Sequence, residues 1–165
     1  MMKNLSIGTG LLAMVLGAGV ASAGGSKGSL GVGGEQQISG LGGISANYDM
    51  GEFHVGGFLF FSDDGGEDDT DVGLGARFFY HVHSTAMADF GVGGSFGLGL
   101  VGDRAPGDNN TTLVFIEPGF QARAFVASNV ALSFTGGLTI GTADAEGMTV
   151  TAQPTGAAGF HYYFF

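Results

Sequence analysis

From Leu30 to Phe164 the chain is a succession of segments in which apolar residues recur at every second position. That period sends alternate side chains to opposite faces of a β-strand. Leu74, Ala76, Phe78 and Tyr80 share one face, and Gly73, Gly75, Arg77 and Phe79 the other. After the first residues, no stretch reaches the roughly 18 consecutive apolar residues of a membrane helix. Yet charged residues make up only 12% of the chain, and 34 of its 165 residues are Gly. A soluble domain carries about twice that charged fraction. A chain this apolar, with no spanning helix, has one other route through lipid: a closed barrel in which strands satisfy one another's backbone groups.

Eight alternating segments are legible, at 30–38, 44–50, 53–61, 72–81, 89–100, 114–125, 130–140 and 150–164. Most reach the roughly 9–11 residues that a tilted strand needs to cross a bilayer. The expected fold is all-β: an eight-stranded antiparallel up-and-down transmembrane β-barrel. A soluble sandwich or lipocalin-like barrel would also alternate, but its polar face would be rich in Lys and Glu. Here that face is mostly Gly, Ser and Thr, which suits the narrow interior of an eight-stranded barrel. In the expected register, Leu30, Val32 and Ile38 point outward on the first strand.

The gaps orient the barrel. Short connections at 51–52, 82–84 and 127–128 read as periplasmic turns, and longer acidic ones at 62–70, 102–111 and 141–147 as extracellular loops. The first gap, 39–43, is short as well. Outward Tyr48, Phe53, Phe78, Tyr80, Phe90, Tyr162 and Phe164 gather toward the turn ends, as an interfacial girdle would. Pro118 and Pro154 fall inside strands, where proline cannot donate to the ladder, so each predicts a bulge. A bulge after Pro118 would carry Phe125 to the outer face.

The leader sets the compartment. Lys3 precedes an apolar core at 11–16, and Ala21-Ser22-Ala23 forms a small-residue cleavage site. This pattern predicts a secretory signal at 1–23 and a single barrel domain at 24–165. There is no Cys, so neither lipidation at a cysteine nor a disulfide framework is expected. Loss of Lys3 would leave 4 Lys and Arg against 15 Asp and Glu. That excess excludes a nucleic-acid binder, which needs a basic face.

In the final strand, Gly159, Tyr162 and Phe164 have the spacing of the C-terminal assembly signal of small outer-membrane β-barrel proteins, with Phe165 one residue beyond. The chain resembles that family, the OmpA- and OmpX-type barrel domains of Gram-negative bacteria, over its mature length. The resemblance implies localisation in the cell outer membrane among lipid and lipopolysaccharide, and the barrel-assembly machinery as a partner. Ala157 stands where the family's signal has a polar residue. A monomer is the expected state.

Candidate chemistry lies mostly on the inward face. Glu35, Asp49, Arg77, Asp89, Glu117 and Arg123 are expected to pair in the lumen, because an unpaired buried charge costs several kcal/mol. Arg77 and Arg123 should organise that network. It reads as a structural plug, with an ion path as the alternative. Inward Phe58 and Phe60 should lie over Gly75 and Gly73 and cover bare backbone. The segment 62–71 holds six carboxylates, but its spacing does not match a calcium loop, so it reads as solvated. His54, His81 and His161 point inward, and Ser84 beside His83 is too little for a catalytic dyad. No catalytic residue, metal site or cofactor is expected. The expected role is structural or surface-interactive. A narrow channel for ions or small solutes is the alternative, and a lipid-modifying enzyme comes third.

Overall fold

Alternating strands with small inward residues can curl until the last meets the first, and this chain does so. The computed structural model describes residues 26–63, 70–102, 111–143 and 146–164. Eight antiparallel strands form a closed barrel in sequence order: β1 Leu30–Gln36, β2 Gly42–Asp49, β3 Phe53–Asp63, β4 Thr70–Ser84, β5 Ala88–Val101, β6 Thr111–Ala127, β7 Val130–Ala143 and β8 Glu146–Phe164. Closure runs from Leu30 opposite Phe164 to Glu35 opposite Gly159. One end carries the β2–β3, β4–β5 and β6–β7 turns. The other carries the remaining connections. The predicted leader at 1–23, Phe165 and the inner parts of the acidic connections, 64–69 and 103–110, lie outside the described residues.

The barrel is apolar outside and polar inside. Leu59, Leu74, Phe96, Leu98, Ile116 and Phe160 are exposed, whereas Asp49, Asn47, His54, Gln121, Arg123 and His161 are each 2% exposed or less. Tyr48, Phe78, Tyr80, Phe90, Tyr162 and Phe164 are exposed as well. Tyr162 and Phe164 meet edge to face at 5.0 Å.

Glycine makes the interior possible. Phe58 pairs with Gly75 and Phe60 with Gly73, as the sequence predicts. A Cβ on either glycine would collide with the paired ring. Phe115 likewise covers Gly97. Rings thus lie against a neighbouring backbone and fill space that a Cβ would otherwise take.

The structure corrects several expectations at strand ends. Ile38 is not on the outer face. β1 stops at Gln36, the chain turns back over 37–41 with Gly40 at φ 95°, and Ile38 is buried at 2% exposure. Residues 82–84, expected as a turn, belong to β4, whose register shifts between His81 and His83. The turn follows at 85–87, where the Thr85 hydroxyl accepts from Ala88 N at 2.9 Å. β7 and β8 extend to Ala143 and from Glu146, into the gap expected at 141–147.

Pro118 brings no bulge. Ile116 opposite Ile140 and Gly119 opposite Gly137 keep one register across it, and Gly94 faces the proline from β5. Phe125 therefore stays inside, 2% exposed, with its ring 5.7 Å from that of Tyr163. The register of β6 breaks only afterwards, between Phe125 and Ala127. Near Pro154 the expected irregularity is present: the β7–β8 register shifts between Thr135 and Gly137, and Gly156 has φ 67°.

Candidate functional site

The six expected lumen charges are all buried, but they form three stations rather than one cluster. At the turn end, Arg123 on β6 reaches across the lumen. Its Nη2 lies 2.7 Å from Asp49 Oδ2 on β2 and 2.7 Å from Asp89 Oδ2 on β5. The same nitrogen is 3.1 Å from His81 Nε2 on β4, and Nη1 donates to the Tyr163 hydroxyl at 2.9 Å. One guanidinium thus ties four other strands together by charge-assisted bonds.

The partners fix the histidine tautomers. His81 Nδ1 lies 2.8 Å from Gly51 O, a carbonyl that can only accept, so Nδ1 carries the proton. The single lone pair of His81 Nε2 then faces both His54 Nδ1, at 2.8 Å, and Arg123 Nη2, at 3.1 Å. Sequence reading found no metal-ligand spacing here. The fold nevertheless brings ligand atoms of Asp49, His81 and Asp89 within 4.8 Å of one another. These residues come from three strands and share no local motif. Arg123 Nη2 sits at their focus, so a guanidinium holds the position a cation would take.

At the second station, Arg77 on β4 forms an ion pair with Glu35 on β1. Gln121 Nε2 donates to Glu35 Oε1 at 3.1 Å and to Thr135 Oγ1 at 3.0 Å. The Arg77 guanidinium also lies 5.8 Å from the centre of the Phe58 ring. His161 Nε2 is 2.6 Å from Ser45 Oγ, a nucleophile–base distance between residues 116 apart in the chain. A catalytic triad would place its acid on the other imidazole nitrogen. Glu35 Oε2 instead approaches Nε2 itself, at 3.7 Å. Ser45 is 3% exposed and His161 1%.

Glu117 forms the third station, held by backbone amides and hydroxyls. Oε1 accepts from Ser39 N at 2.5 Å and from the Thr139 hydroxyl at 3.1 Å. Oε2 accepts from Ile38 N at 3.2 Å and the Ser95 hydroxyl at 2.8 Å. A mid-strand carboxylate on β6 thereby holds the β1–β2 turn inside the barrel.

The remaining sequence candidates divide between this network and the surface. His54, His81 and His161 are inward as expected, while His83 is exposed near the end of β4. Of the residues expected to form a C-terminal signal, Gly159 lies against Ser133 and Glu35, and Tyr162 and Phe164 face outward. Of the acidic segment 62–71, Asp71 accepts from Gly102 N at 2.9 Å, which ties β4 to the end of β5.

No protein-family model matches the sequence, and no curated protein matches it.

Proposed function

We propose that this chain is a small outer-membrane β-barrel protein with a side-chain-filled lumen and a structural or surface-interaction role in the cell envelope. The observation that carries this reading is the inversion of the barrel, with aliphatic and aromatic side chains outside and ionised ones within. In water, an exposed apolar surface of this extent would drive association. In a bilayer it is the matching surface, and a closed barrel leaves no strand edge in the lipid.

The filled lumen favours a structural role over a channel. Arg123, bridging Asp49 and Asp89, crosses the lumen at the turn end beside Phe125 and Tyr163. The Glu117-held turn buries Ile38 toward the other end. Lipid and lipopolysaccharide would surround the outer face. The outward Tyr162 and Phe164 side chains are available to the barrel-assembly machinery implied by the resemblance.

The test is gel mobility of the chain from outer-membrane extracts, unheated against boiled in SDS. A faster unheated band in the membrane fraction is expected, together with no unitary conductance in a planar bilayer. A protein in the soluble periplasmic fraction with no mobility shift overturns the membrane reading, and steady single-channel steps overturn the filled lumen.

A further inference from the structure

We propose that the mouth of the barrel opposite the turn end is a binding site for a small uncharged amphiphile, an apolar body carrying one hydroxyl or carbonyl. A cavity of about 270 Å³ lies there, lined by Ser39, Leu113, Phe115, Thr139, Gly141 and Thr149 among others. Barrel mouths are a recurrent place for such sites, which join apolar walls to a few fixed polar groups. This volume lies just below the usual range of roughly 300–1,000 Å³ and suits a ligand smaller than a drug.

The polar groups are already positioned. Glu117 takes the Ser39 backbone N–H at 2.5 Å, which fixes that residue at the cavity. The Ser39 hydroxyl oxygen is buried and, among the described residues, has no hydrogen-bond partner. A buried polar atom left unpaired costs about 1–3 kcal/mol, so a ligand that supplies its partner gains affinity. Leu113 and Phe115 provide the apolar wall.

Charge selects the head group. The described lining residues include no Lys or Arg, and Glu117 stands directly behind Ser39 and Thr139. An anionic head would meet that carboxylate without a counter-ion. A cationic head gains little either, because both Glu117 oxygens already hold two donors each. A neutral head remains.

Gly141 gives the means to test this. A Cβ there would meet Val114 O at 3.5 Å and Phe115 Cβ at 3.6 Å, ordinary contacts, so a side chain can be added without displacing backbone. The experiment titrates the folded full chain with 1-hexanol, and separately with hexanoate and hexylamine, following Ser39 amide and Leu113 methyl resonances by NMR. Saturable shifts confined to the mouth are expected with 1-hexanol, together with binding at least several-fold weaker for both charged analogues. Gly141→Leu should abolish the response. Ser39→Ala, which keeps the backbone bond to Glu117, should weaken binding about 5-fold, the equivalent of one hydrogen bond. Unsaturable shifts spread over the outer face, an unchanged response in Gly141→Leu, or equal binding of hexanoate would each overturn the proposal. If Gly141→Leu fails to fold, Ser39→Ala decides: an unchanged affinity overturns it.

Discussion

Glu117 and Ser39 are 78 residues apart in sequence, yet the carboxylate of one accepts the backbone N–H of the other at 2.5 Å. The bond joins the middle of β6 to the turn that follows β1. It makes that turn part of the lumen instead of a rim loop. Replacing the carboxylate strands four donors: two backbone amides and the hydroxyls of Ser95 and Thr139. Glu117→Ala should therefore lower stability by about 2–4 kcal/mol, read as a fall in the urea midpoint at unchanged m-value. It should also expose the peptide bonds of 37–41 to protease while the rest of the barrel stays resistant. Resistance equal to the parent would show that the turn does not depend on this carboxylate.

Arg123→Ala leaves Asp49 and Asp89 buried near each other without their cation. Breaking a buried pair in this way costs about 3–5 kcal/mol. Because His81 Nε2 presents a lone pair to the same point, the vacated focus offers one nitrogen and two carboxylates within 4.8 Å of one another. That donor set suits Zn²⁺. Thermal unfolding of Arg123→Ala should rise on adding Zn²⁺ and fall back with a chelator, while the parent shows neither change. A variant indifferent to Zn²⁺ would mean that the three ligands relax apart.

Inward and outward glycines should respond in opposite ways to one methyl group. At Gly75 a Cβ would strike the Phe58 ring and the Phe96 carbonyl, whereas at Gly57 its nearest neighbour would be Gly75 O at 3.5 Å. Gly75→Ala should cost about 1–3 kcal/mol through overpacking. Gly57→Ala should stay within about 0.5 kcal/mol of the parent. Equal effects in denaturant titrations would show that the rings yield and that the Phe58–Gly75 pairing does not hold the wall.

The membrane reading makes its own quantitative demand. Phe96 is exposed near the middle of β5 and flanked by Ala76 and Ile116. In a bilayer, Phe96→Arg should cost about 2–4 kcal/mol near the midplane. In a water-soluble barrel the same change would be close to neutral. Folding yield into vesicles of the variant against Phe96→Ala separates the two.

The faces of the strands were legible because period two has one structural meaning once both faces must be filled differently. The β3–β4 register was legible for a more particular reason: Phe58 and Phe60 need the bare backbone of Gly75 and Gly73. Ends were harder to read. Ile38 continues the alternation of β1 on paper, but two backbone amides bonded to Glu117 draw it inward. Pro118 suggested a bulge, yet it stands opposite Gly94 with no register change across it in β6, so Phe125 kept its face. Arg123 with Asp49 and Asp89, and Ser45 with His161, meet across the lumen. Such meetings depend on barrel diameter and stagger, which leave no periodic trace in the sequence.

The strands are unequal, and that inequality has a directional consequence. β1 and β2 have 7 and 8 residues, whereas β6 and β8 have 17 and 19. At about 3.3 Å per residue, β6 is longer than β2 by about 30 Å along the strand. Residues 111–116 of β6 run on past the point where Glu117 grips the β1–β2 turn. The cylinder is cut obliquely, like a quill, with its low lip at the first hairpin. An obliquely cut tube has an aperture that looks sideways. Set in a membrane, its lower lip would lie nearest the lipid head groups, so molecules travelling along the membrane surface would arrive there before those falling from bulk water.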